Sequence, residues 1–163
     1  MRIYVGYDTR EDLAYQVCKY SIHRKNKKVE VIPLKLSTMR ELGIYTRDVD
    51  KKASTEFTFS RFFVQYLMDY KGHALFVDCD FLFLSDPAEL FALADKDKAV
   101  QVVKHDYTPK STVKMDGKKQ TVYPRKNWSS CVLWNCGHPM NMRLNLRNLN
   151  KEDGMWHHRF MWL

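Results

Sequence analysis

Residues 74–84 read Ala-Leu-Phe-Val-Asp-Cys-Asp-Phe-Leu-Phe-Leu, which sets two carboxylates, Asp78 and Asp80, in an otherwise apolar run. Ala74 to Val77 reads as a continuous apolar strand leading into Asp78. Two ionised carboxylates left unpaired in such surroundings cost too much, so something must compensate them. In an extended chain, side chains two residues apart point the same way. Asp78 and Asp80 can therefore converge on one hard cation, Mn²⁺ or Mg²⁺, whose other ligands are substrate phosphate oxygens. The competing reading is that they pair with a nearby Arg or Lys, or cap a turn.

The rest of the chain alternates strands and helices. Residues 2–6 read as a strand ending at Gly6, and Asp8 or Thr9 can cap a helix to about residue 24. Its apolar positions, Leu13, Ala14, Val17, Cys18 and Ile22, recur at 3–4 residue spacing. Val29 to Leu34 is a second strand, broken toward its end at Pro33, and 37–55 reads as loop with one helical turn. The strongest helix spans 59–70, where Phe59, Phe62, Phe63, Tyr66, Leu67 and Tyr70 form one stripe before Gly72. A helix over 86–93, strands over 99–103 and 130–134, and a mostly helical tail from Asn141 complete the pattern. This alternation predicts an α/β fold with a mainly parallel central sheet flanked by helices, in a single domain over residues 1–163. Asp8 and Asp78 each follow a strand, so in such a sheet both lie on one rim, where ligands bind.

Composition narrows the class. Of 163 residues, 45% are apolar and 28% charged, which fits a folded chain and excludes a disordered one. No apolar run approaches the roughly 20 residues of a membrane span, and Met1 to Asp8 shows no leader, so a cytoplasmic location is expected. Cys18, Cys79, Cys131 and Cys136 lack metal-pair spacing and are expected to pack as reduced thiols. The net charge of +8 is concentrated in two segments: 19–28 holds five cations and no acid, and 104–126 holds seven cations against Asp106 and Asp116. Such surfaces attract nucleotide diphosphates, polynucleotides or an anionic membrane. The tail 155–163 is rich in large apolar residues and must dock on something.

The Asp-x-Asp after an apolar strand, the Gly6-Tyr7-Asp8-Thr9 ending of the first strand, Ser60-Arg61-Phe62 on an aromatic helix, and Trp128-Ser129-Ser130-Cys131-Val132-Leu133-Trp134-Asn135 together resemble the GT-A fold. The resemblance is to nucleotide-sugar glycosyltransferases akin to family 8, the glycogenin and bacterial galactosyltransferase group, and covers about residues 1–140. It implies a metal-dependent retaining transfer from a UDP-sugar to a carbohydrate, lipid or protein acceptor. Tyr7, Asp8 and Thr9, with backbone near Val5 and Gly6, would hold base and ribose. Arg61 would reach the diphosphate or sugar, Asp78 would contact ribose or sugar as well as metal, with Cys79 beside it, and Asp80 would bind metal. The leaving diphosphate needs positive charge, for which Lys104, His105, Arg125 and Lys126 are candidates. No nucleophile or base stands out; Asp106, Asp116 and Asn127 are the polar groups on the expected acceptor side.

The chain departs from that family in lacking its C-terminal histidine motif, and so reads as C-terminally short. His157 and His158 are expected against the aromatic tail rather than on a metal. A haloacid-dehalogenase-like phosphatase also carries Asp-x-Asp after a strand, but wants Thr or Val where Leu82 stands and its first Asp near the N-terminus. A sugar-nucleotide pyrophosphorylase needs a glycine-rich loop that six scattered glycines do not make. A basic nucleic-acid-binding module would explain the charge, yet no recognisable nucleic-acid motif is present, and no specific nucleic-acid partner is expected.

Overall fold

The computed structural model describes residues 1–50, 53–105 and 123–163. Five strands form one sheet in the order β2-β1-β3-β5-β4, with β1 at Arg2–Gly6, β2 at Glu30–Leu34, β3 at His73–Val77, β4 at Val100–Val102 and β5 at Cys131–Asn135. β1 pairs in parallel with both β2 and β3, whereas β5 runs antiparallel to β3 and β4. Four strands thus point one way and β5 alone is reversed. The chain leaves β1 to build β2 on one side and returns to build β3 on the other, so the order in which strands are added reverses between β1 and β3.

Alternation along the strands divides the core. Tyr4 pairs with Phe76 and Ala74 with Trp134 on one face, while Ile3 pairs with Leu75 on the other. Helix α1 (Asp12–Lys25) covers the Ile3 face, its Tyr15 ring meeting Tyr7 edge-on at 5.4 Å. The expected stripe on α1 is only partly right. Tyr15, Cys18, Ser21 and Ile22 are buried, but Leu13 and Val17 face solvent. Residue 33 does not break β2: the strand runs through Pro33 to Leu34, because β2 is an edge strand whose outer side needs no N–H donor.

The aromatic helix covers the other face. It is one helical segment in three parts, α3 (Phe57–Ser60), a 3₁₀ turn (Arg61–Phe63) and α4 (Val64–Leu67), and it ends before Asp69, Tyr70 and Gly72, all with positive φ. Between β2 and α3, Leu36–Glu41 forms α2, and Ala88–Ala92 forms α5. After β5, a 3₁₀ turn (Pro139–Arg143), α6 (Leu146–Lys151) and α7 (Gly154–His158) lead into the apolar tail. The tail docks on the protein's own core: Trp162 is fully buried and stacks on Trp134 at 6.0 Å, and its Nε1 donates to Asn141 Oδ1. All four cysteines are free thiols.

His157 is sealed in this junction, with no exposed surface and its ring 5.1 Å from Phe62 and 5.7 Å from Phe59. Burial pulls its imidazole down to about 4, so it is neutral in the folded protein. The unfolded chain takes up that proton near pH 6.5, so stability is complete above 6.5 and falls as the pH drops toward 4, by about 3 kcal/mol. His157→Phe keeps the ring packing and should flatten that part of the profile in a urea-denaturation series. An unchanged slope between pH 6.5 and 4 would place the acid sensitivity elsewhere.

Candidate active site

At the switch point, β1 and β3 end side by side, with Val5 opposite Val77. Gly6, Tyr7 and Asp8 therefore leave the sheet next to Asp78, as the strand reading anticipates. The reversed β5 adds a third wall: Val77 is opposite Cys131, and the Asp78 N–H donates to the Ser130 carbonyl at 3.0 Å.

Asp78 lies on the face covered by the aromatic helix. Its Oδ1 is 3.0 Å from Arg61 Nη1, and the two side chains are 21% and 9% exposed. The same nitrogen donates to the Ser129 carbonyl at 3.0 Å, and Arg61 Nε donates to the Phe57 carbonyl at 3.2 Å. The guanidinium also sits over the rings of Phe57 and Phe76, at 5.2 and 5.3 Å. Arg61 is thus a buried cation held on all sides. Although close to it, Asp78 Oδ1 is out of solvent without a hydrogen bond of acceptable geometry. Burial pushes the Asp78 carboxyl up to about 6; Arg61 opposes that shift, and the nearby charges of Asp80 and Glu11 add to it.

Asp80 is placed differently from an extended reading. The strand stops at Val77, and Cys79 and Asp80 form a turn in which the Phe81 N–H approaches the Asp78 carbonyl at 3.4 Å. Cys79 points inward, its thiol donating to Glu11 Oε2 at 3.1 Å, while Asp80 is exposed. The bend carries Cys79 toward Glu11, just ahead of α1, and turns Asp80 to solvent. Among the described residues, no three His, Cys, Asp or Glu side chains come together as a protein-only metal site. Asp78 and Asp80 remain two oxygen donors on one turn, a set suited to a hard cation that takes its remaining ligands from phosphate.

The β1 loop divides in two. Asp8 has no exposed surface; it accepts from the Arg10 N–H, from the Arg10 guanidinium at 2.8 and 3.0 Å, and from the Glu56 N–H at 3.1 Å. These donors hold its carboxyl down at about 2, so it acts as the anchor of the loop, with no free oxygen face for a ligand. Tyr7 and Thr9 on either side line a cleft of about 560 Å³, together with Lys35, Ser37, Arg40 and Glu56. The Tyr7 hydroxyl donates to Asp12 at 2.8 Å, and Lys35 Nζ lies 4.7 Å above the Tyr7 ring. Val5 is wholly interior. Lys104 and His105 leave the end of β4 on the same rim and are exposed, with the Trp128 Nε1 donating to the His105 carbonyl. Lys126 is buried beneath the Tyr123 ring, Arg125 Nη1 holds the Arg159 carbonyl, and exposed Asn127 takes a left-handed conformation at the start of the Trp128–Ser130 turn. Asp106 and Asp116 lie outside the described residues.

Three participants escape sequence reasoning. Glu11 reaches Cys79; Ser129 accepts from Arg61; and His158 Nδ1 lies 2.9 Å from Ser129 Oγ, linking the tail to the site. Ser129 stands in the segment that carries the resemblance, but nothing in its spacing singles it out.

No family model matches the chain. It is 56% identical over 163 residues to Protein CDI of Arabidopsis thaliana, covering 99% of this chain and 63% of that protein, so it spans less than two thirds of that relative. Among solved structures it is similar to the apo-form glycosyltransferase GlyE of Streptococcus pneumoniae TIGR4, with TM-score 0.55 and 15% identity over 98% of this chain and 42% of that one. A second structure of GlyE gives TM-score 0.51 and 14% identity over 93% and 36%. The fold is therefore glycosyltransferase-like.

Two substitutions probe how the site is held. A Cβ on Gly6 would lie 2.6 Å from Phe57 Cδ2 and 2.7 Å from Cγ, so Gly6→Ala should displace the ring beneath Arg61 and cost about 1–3 kcal/mol in urea denaturation. Adding Phe57→Leu should recover part of that loss; a purely additive pair would contradict the contact. For Asp8→Asn the expected loss is about 2 kcal/mol at pH 7. Because the Asp8 carboxyl is depressed in the folded state, the gap from the unsubstituted protein should close as the pH falls from about 3.8 to 2.

Proposed function

We propose that this chain binds a nucleotide diphosphate-sugar, foremost a UDP-sugar, and transfers the sugar to an acceptor. The observation that carries this reading is the Asp78–Arg61 pair at the switch point of a glycosyltransferase-like sheet, on the rim where the β1 loop lines an open cleft with Tyr7 and Thr9. In open α/β sheets ligands bind at that point, outside the carboxyl ends of the strands. Base and ribose fit the Tyr7–Thr9 cleft, where Lys35 and Arg40 offset the charge of the phosphates. Asp8 keeps the loop in register without touching the donor. Arg61 orients Asp78 and holds positive charge near the position of the diphosphate.

Asp78 and Asp80 would hold Mn²⁺ or Mg²⁺, which supplies Lewis-acid stabilisation of the leaving diphosphate. The turn suits this because the exposed part of Asp78 and the exposed Asp80 lie on one bend, and a nucleotide provides the missing oxygens. Lys104 and His105, on the same rim, are placed to meet growing negative charge. A phosphatase reading needs the first carboxylate free to attack phosphorus, and Asp78 Oδ1 is instead turned to Arg61.

Isothermal titration of UDP and UDP-glucose, with and without Mn²⁺, tests the reading. Binding is expected only with the metal. Asp80→Ala should abolish that dependence without loss of stability, since Asp80 is exposed. Metal-independent binding that Asp80→Ala leaves unchanged would refute the cation assignment, and no binding under either condition would refute the donor assignment.

A further inference from the structure

The face of α1 away from the core carries apolar side chains where solvent-facing polar ones are expected. Leu13 is 78% exposed, Val17 48% and Tyr20 67%. At about 100° per residue, Val17, Arg24, Leu13 and Tyr20 lie within about a third of a turn, on the same side of Ser21. Ser21 marks the seam where a second element joins: its Oγ accepts from the Phe83 N–H at 3.0 Å. Residues 79–86 follow α1 along its length, from the Cys79 thiol on Glu11 to Asn26 on Asp86. On that adjoining segment Leu82 is 60% exposed and Leu84 77%. Both line an apolar groove of about 310 Å³ with Val77, Phe81, Leu90 and Cys131. The five exposed side chains therefore stand on two adjoining elements, and apolar groups gathered in this way on a folded surface mark an interaction site.

The charge at the end of the patch selects its partner. Arg24, Lys25, Lys27 and Lys28 gather at the C-terminal end of α1 and the turn after it, all exposed, and none forms an ion pair with a described residue. No acid stands between residues 19 and 28. Leucines and a tyrosine beside clustered cations match the boundary of an anionic bilayer, where apolar groups enter among the headgroups and Lys and Arg meet their charge. The Lys and Arg stems can lie along the surface while their heads reach phosphate.

We propose that the α1 face and residues 82–84 dock this protein on an anionic lipid bilayer as a peripheral contact. The contact crosses nothing: among the described residues no helix is long and apolar enough to span a membrane. The proposal does not rest on the donor assignment, and its test involves no nucleotide.

The full chain is floated with phosphatidylcholine vesicles with and without phosphatidylserine. Binding is expected only with phosphatidylserine and should weaken as salt rises. Replacing Lys25, Lys27 and Lys28 by Gln should lower the partition by about 100-fold. Leu82→Ser with Leu84→Ser, at exposed positions that should leave the circular dichroism spectrum unchanged, should lower it by about 10-fold. Absence of phosphatidylserine-dependent binding overturns the proposal. So does binding that the leucine variant retains in full, which is adhesion to any polyanion. A dimer formed without vesicles and dissolved by the leucine variant assigns the patch to a second copy and overturns it as well.

Discussion

The buried Arg61 guanidinium is the constraint around which this structure is organised. Taking a cation and a carboxylate out of water is costly, and their attraction repays it only where the remaining donors are satisfied. Arg61 donates to the Phe57 and Ser129 carbonyls, lies beside the Asp78 carboxylate and sits over two aromatic faces. These partners come from the aromatic helix, from the end of β3 and from the turn before β5, so the pair ties those three parts together. Gly6 belongs to the same arrangement, because only a residue without a Cβ lets the Phe57 ring approach the end of β1.

The reversed direction of β5 makes this possible. A strand entering antiparallel beside β3 brings the turn just before it, with Ser129 and Ser130, to the rim where β3 ends. A parallel strand there would have brought its last residues. The tail then closes the back of the site, with His157 packed against Phe59 and Phe62 and His158 on Ser129. A glycosyltransferase-like fold at 15% identity is consistent with this division, since layers and rim are preserved by packing while the side chains on the rim are free to differ.

Much of the fold is legible in the chain because its signals are local. Apolar strands bounded by Gly and Asp, and the stripe from Phe59 to Leu67, appear close to where they are read. The apolar stripe of α1 misleads for a physical reason: Leu13 and Val17 have the periodicity of a core face but lie on its outer side, while Tyr15 and Ser21 face inward. Periodicity identifies an apolar side, and it does not say what covers it. The candidate site was legible in its acids and in Arg61, but their partnership was not. Glu11, Ser129 and His158 are separated in sequence from Asp78 or Arg61 by dozens of residues, and no pattern announces such contacts.

By itself the sequence determined the alternation of elements, the rim shared by Asp8 and Asp78, the free thiols and an apolar tail in need of a partner, since each follows from short-range periodicity or from the cost of burying charge. Tertiary structure decided which carboxylate does what. Asp8 is consumed by Arg10 and the Glu56 N–H, Asp78 is turned to Arg61, and Asp80 is left open on a turn. Those three fates depend on donors brought from elsewhere in the chain, and only packing determines where such donors arrive.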